Sequence, residues 1–130
     1  MTLNNRILGI LQHKQLATNI SELYISYNTL PINKLFQYQL LLHAHNILFN
    51  INKLPIIFHS ARLTNDDIHN YNTRSSHDFH CSTFNSTFGS KMSCNLCAKL
   101  WNSLTSSLKH MRSRHSFKNE LKKFLNNNDI

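Results

Sequence analysis

The stretch Pro31-Ile32-Asn33-Lys34-Leu35-Phe36-Gln37-Tyr38-Gln39-Leu40-Leu41-Leu42-His43-Ala44-His45-Asn46-Ile47-Leu48 decides the fold class. Its apolar residues, Ile32, Leu35, Phe36, Leu40, Leu41, Leu42, Ile47 and Leu48, wrap most of a helix's circumference. A helix that is apolar nearly all round belongs in a protein interior, so this segment is expected to be the most buried element. Pro31 suits its first turn, because the N–H that proline lacks would be unpaired there anyway. Gln37, Gln39, His43, His45 and Asn46 interrupt the apolar run, and no window of about 18 apolar residues exists that could span a bilayer. His43 and His45 read as a surface residue or a satisfied core group rather than as ligands.

Upstream, Leu3, Ile7, Ile10 and Leu11 fall at helical spacing, and residues 3–17 read as an amphipathic helix. Asn19 followed by Glu22 has the form of a capping box opening a short helix through Ile25. Downstream, Leu54-Pro55 stops the central helix. From Ile51 to Gly89 the periodicity fades. Residues 65–90 are rich in Asn, Ser, Thr, His and Asp, with single aromatics at Tyr71, Phe79, Phe84 and Phe88, and read as loop with a short strand or two. His69, His77 and His80 lie near Cys81, a clustering that the histidine-rich composition alone explains. Helical spacing returns at Trp101, Leu104, Leu108 and Met111, and again at Phe117, Leu121, Phe124 and Leu125, with Ser113 or Ser116 as cap. The expectation is a mainly α, small irregular helical domain of four to five helices with a long polar loop at about 51–98. Its segments 1–50, 51–98 and 99–130 should form one structural unit.

The chain has 130 residues and a mass of 15.2 kDa, enough for a single small core. Fourteen basic residues against six acidic ones give a net charge of +8, which points to a polyanionic partner. Two glycines and two prolines argue against Gly-rich phosphate loops and against a sheet with many tight turns. Met1 to Asn5 is polar and leads into an amphipathic stretch, which argues against a secretory leader. Three cysteines without that context argue against a disulfide framework. These readings together place the chain inside the cell, away from membranes.

The charge is concentrated at one end. Residues 91–130 hold eight basic residues against Glu120 and Asp129, whereas residues 1–90 hold six against four. Lys109, Arg112, Arg114, Lys118, Lys122 and Lys123 are therefore the candidates for contact with an RNA or DNA backbone, without sequence preference. The competing explanation is a solvated helix face.

The same end carries a second pattern. Cys94 and Cys97 are followed after twelve residues by His110 and after four more by His115. This C-x2-C-x12-H-x4-H spacing lets two thiolates from a turn and two imidazoles from one helix close a tetrahedron around zinc. Trp101 stands where such a finger needs a core aromatic. Ser107 occupies the second core position, Met92 replaces an aromatic before Cys94, and the pattern occurs once. The alternative function is thus a single C2H2-type finger binding zinc and nucleic acid.

Several segments in order carry a family likeness: Ile68-His69-Asn70-Tyr71-Asn72-Thr73-Arg74-Ser75-Ser76, Lys99-Leu100-Trp101-Asn102-Ser103-Leu104, and Ser116-Phe117-Lys118-Asn119-Glu120-Leu121-Lys122-Lys123-Phe124-Leu125. Arg6-Ile7-Leu8 with Leu11-Gln12-His13-Lys14, and Leu23-Tyr24 with Tyr27-Asn28-Thr29-Leu30-Pro31, extend it toward the N-terminus. Together they resemble the extreme C-terminal region of reverse transcriptases of non-LTR retrotransposons, of the jockey and tick-transposon-like kind. The resemblance covers nearly the whole chain. It implies a thumb-side helical tail of an RNA-directed DNA polymerase that touches template or primer backbone. Where that family usually carries Gly-Pro, this chain has Cys97-Ala98, which makes the cysteine pair look like drift on a retroelement background.

The polymerase signature, an aromatic, any residue, then two aspartates, is absent from the sequence. The paired acids Asp66-Asp67 follow Thr64-Asn65, and two-metal nucleotidyl transfer needs clustered carboxylates. No Gly-x-Ser-x-Gly elbow or Gly-Lys-Ser/Thr phosphate loop occurs either. The expected product is a non-enzymatic chain with no cofactor, or with zinc under the finger alternative. A helical interaction module without a nucleic acid partner is the third reading.

Overall fold

A computed structural model describes residues 3–11, 13, 19–69 and 75–127. The described residues are mainly helical, as the periodicity and the scarcity of Gly and Pro predict. Eight α-helices are present among them, more than the four to five expected. They are α1 (Leu3–Leu11), α2 (Ile20–Ser26), α3 (Ile32–Phe49), α4 (Asn65–Ile68), α5 (Thr87–Ser90), α6 (Ser93–Asn102), α7 (Ser106–Lys109) and α8 (Arg114–Asn127). Two 3-10 turns, Ile51–Lys53 and Ile56–Arg62, follow α3.

The core is a three-helix contact of α3, α6 and α8. Leu41, Trp101, Phe117, Leu121 and Leu125 are the fully buried apolar side chains at its centre. Leu41, Cys97 and Phe117 belong to one apolar cluster, so the three sequence segments do share a single core. α3 is buried only in its second half, through Tyr38, Leu40, Leu41, Leu42, Ala44, His45 and Ile47. Ile32, Leu35 and Phe36 are exposed. Of these, Ile32 and Leu35 instead border an open depression shared with Tyr24, Leu30 and Lys122.

Pro31 is the residue before the first turn of α3, with extended backbone (φ −56°, ψ 155°), rather than a member of that turn. Asn19 does cap α2: its side chain accepts a hydrogen bond from the Ser21 N–H at 3.1 Å. The reciprocal capping box lies elsewhere, at Thr64 and Asp67, where the Asp67 carboxylate accepts from the Thr64 N–H and hydroxyl, both at 2.8 Å. α1 is shorter than the 3–17 expected, and the residues beyond its end at 12 and 14–18 lie outside the described residues. The Tyr24 hydroxyl donates to Asn5 Oδ1 at 2.7 Å and the Tyr27 hydroxyl to the Leu11 carbonyl at 3.1 Å, which ties α1 to α2.

The 51–98 segment is not one long loop. It carries both 3-10 turns, α4, α5 and the first half of α6, and α6 runs across the boundary at 98 and 99. Among the described residues one isolated antiparallel bridge, Thr64 to Phe79, stands in place of the expected strands. Asn102 acts as a substitute strand edge. Its Nδ2 donates to the Phe79 carbonyl at 2.8 Å and its Oδ1 accepts from the Phe79 N–H at 3.0 Å. Both backbone groups of a buried residue are thereby satisfied, and the Phe79 ring meets Trp101 edge-on at 6.1 Å.

Candidate nucleic-acid interface

α8 is an amphipathic helix whose two faces do different work. Ser113 opens it: its hydroxyl accepts from the Ser116 N–H at 3.5 Å and its carbonyl from the Phe117 N–H at 2.9 Å. Phe117, Leu121 and Leu125 are wholly buried. Burying three large apolar side chains on one stripe contributes about 1.5–3 kcal/mol each and fixes the helix's rotation. That rotation turns Arg114 and Lys118 outward and leaves Lys122 half-exposed beside them. The three lie four residues apart, roughly 6 Å of rise per step, and form one cationic ridge. Arg112, just before α8, is exposed as well.

The other two sequence candidates differ from this ridge. Lys123 is exposed and donates to Glu120 at 2.7 Å, a surface pair of little energetic weight that a phosphate can replace. Lys109 is already committed: its Nζ donates to Asp78 Oδ1 and to the Asn102 carbonyl, both at 2.9 Å. It ties α7 to the loop before Phe79 and is a structural cation, not part of the ridge. Arg114 lies near α3, where its charge acts on two ionisable side chains. Burial pushes the Tyr38 phenol up, and Arg114 partly offsets that shift.

The zinc ligands of the finger reading are not brought together. A finger would need Cys94 and Cys97 on a hairpin facing a helix that carries both histidines. Here both cysteines are in the helix α6, Cys94 exposed and Cys97 buried. The Cys97 thiol donates to the Leu40 carbonyl at 3.3 Å, and burial foremost, then the neighbouring Cys94, pushes its pKa up to about 11. Such a thiol is a core group and a poor metal ligand. His110 follows α7 and donates from Nδ1 to the Ser106 carbonyl at 2.6 Å. His115 sits in α8, where Asn119 Nδ2 donates to its Nε2 at 3.2 Å. Trp101, which would have served the finger's own small core, is in the main core instead. Among the described residues no three His, Cys, Asp or Glu side chains converge on a metal position, and this includes His69, His77, His80 and Cys81.

Sequence reasoning missed a depression beside α8. His115, Asn119, Lys122 and Lys123 line a polar hollow of about 430 Å³ with Asn28 opposite them. Asn28 has a left-handed backbone (φ 48°), which Asn tolerates better than most residues. The Tyr27-Asn28-Thr29 turn signal was visible in the sequence, but nothing local placed it against residues ninety positions away. No family model, no curated protein and no solved structure matches the chain.

Proposed function

We propose that this chain is a non-catalytic helical module, resembling the C-terminal tail of a non-LTR retrotransposon reverse transcriptase, that holds RNA or DNA by its phosphate backbone. The observation that carries this reading is the division of α8. Its stripe of Phe117, Leu121 and Leu125 is wholly buried, while Arg114 and Lys118, both exposed, and the half-exposed Lys122 form a row that flanks it. A row of cations held by a rigid helix neutralises successive phosphates and reads no bases, so binding is independent of sequence. The net charge of +8 adds long-range attraction for any polyanion.

The test is a salt titration. Each neutralised phosphate releases condensed counterions, so log K falls linearly with log salt. Replacing Lys118, Lys122 and Lys123 by Gln lowers that slope by about 0.7 to 0.9 per lost contact and leaves the helical circular dichroism unchanged. No affinity for RNA or DNA at low salt overturns the reading. Primer extension with Mg²⁺ or Mn²⁺ on an RNA template is expected to give no incorporation above a boiled control, since no carboxylate cluster that could hold the metals is present among the described residues.

A further inference from the structure

The polar hollow beside α8 does not end at Lys122. A second depression of about 330 Å³, lined by Tyr24, Leu30, Ile32, Leu35 and Tyr38, shares two residues with it, Asn28 and Lys122. The two form one trough with a cationic end and an apolar end. At the cationic end Lys122 and Lys123 stand with Asn119 and His115, and the one carboxylate there, Glu120, is already paired with Lys123. At the apolar end Tyr24 and Tyr38 are buried and form the floor, while Ile32 and Leu35 are exposed walls. The ridge of Arg114, Lys118 and Lys122 runs into the joint between the two ends.

A nucleic acid duplex presents phosphates, sugars and base edges, while the flat faces of its bases are stacked inside. A single strand can turn a base out of its stack, and nonspecific single-strand sites combine a basic track with aromatic side chains on which bases stack; the exposed walls here offer an aliphatic surface for van der Waals contact instead. We infer that the trough takes one nucleotide of a single-stranded RNA or DNA. Its phosphate lies at Lys122 and Lys123, and its base packs against Ile32 and Leu35. The inference rests on the phosphate-binding reading above and adds to it a preference for unpaired strands. It also gives the exposed N-terminal half of α3 an occupant.

The experiment measures fluorescence anisotropy of the full chain with a polypyrimidine single strand and with a duplex of equal length, at one salt concentration. The single strand is expected to bind about tenfold more tightly, the effect of one modest base contact. The double variant Ile32→Ser and Leu35→Ser changes two exposed residues and so leaves the core intact. It is expected to abolish the tenfold difference without altering duplex affinity. Lys122→Gln weakens both ligands. Equal affinity for strand and duplex, or a strand preference that survives the double variant, overturns the inference and leaves the phosphate reading standing. Tighter binding to phosphatidylserine vesicles than to the strand overturns it in favour of an anionic lipid surface. No binding to either nucleic acid at low salt overturns both.

Discussion

His45 donates from Nε2 to the carbonyl of Met111 at 2.8 Å across 66 residues of chain, and its ring stacks on Phe117 at 4.5 Å. The central helix thereby holds the start of the basic helix in place. Because the carbonyl can only accept, Nε2 carries the proton and Nδ1 is the unprotonated nitrogen, buried with no hydrogen-bond partner among the described residues. Burial lowers the pKa of His45, the Met111 bond pulls it partly back up, and the charge of Arg114 lowers it further.

This predicts a specific pH dependence. With the folded pKa below the ordinary value near 6.5, the unfolded chain binds more protons between the two values. The stability contributed by neutral His45 is complete above about pH 6.5 and is lost as pH falls toward the folded pKa. Thermal melts of His45→Gln, which keeps a donor and does not titrate, should depend less steeply on pH across that window. An equal dependence in the variant would show that His45 does not govern it.

Phe117→Ala should destabilise the fold by about 3–5 kcal/mol, the cost of an unfilled aromatic site in a core. Native domains are stable by only about 5–15 kcal/mol, so a substantial unfolded population is expected on mild warming. Trp101 is the single tryptophan and its ring lies 5.7 Å from Phe117. Its fluorescence therefore reports the loss directly during urea unfolding.

Lys109→Gln and Lys118→Gln should behave oppositely. The first removes a charged donor from Asp78 and from the Asn102 carbonyl, and should cost about 1.5 to 3 kcal/mol in stability with the salt slope of nucleic acid binding unchanged. The second should leave the urea midpoint in place and lower the slope. Reversed results would place the phosphate contacts at α7 instead of α8.

Cys94 should react with a maleimide in the native protein while Cys97 reacts only on unfolding, since the first is exposed and the second buried with a raised pKa. A zinc chelator should change neither this pattern nor the circular dichroism. Protection of both thiols that is lost on chelation would restore the finger reading.

These contrasts also show what the residues disclose on their own. The stripe of α8 is local, so Phe117, Leu121 and Leu125 and the lysines off it could be read by counting along one helix. The role of Lys109 could not, because Asp78 is 31 residues away and its position depends on the Asn102 clamp on Phe79. α6 was obscured for a different reason. It begins at Ser93 after Met92, with no side-chain cap to mark the start, and its cysteines carry a spacing that matches another structure. Spacing specifies which side chains could meet, and burial decides whether they do. Trp101 is buried in the main core. The exposed half of α3 makes the same point in reverse, since apolar periodicity measures a capacity for burial and does not supply the partner.

The two tyrosine hydroxyls that tie α1 to α2 have a consequence for how the molecule breathes. Leu3, Ile7, Ile10 and Leu11 are exposed on α1, and the bonds from Tyr24 and Tyr27 join that helix to α2. Elements with few buried contacts open by themselves, at free energies well below that of global unfolding. Backbone amides of α1 should therefore exchange with deuterium far faster than those around Leu41, Phe117 and Leu121. The N-terminal end of the chain would then come and go as a separate cooperative unit while the three-helix centre stays closed. Tyr24→Phe and Tyr27→Phe should widen that gap in exchange rate.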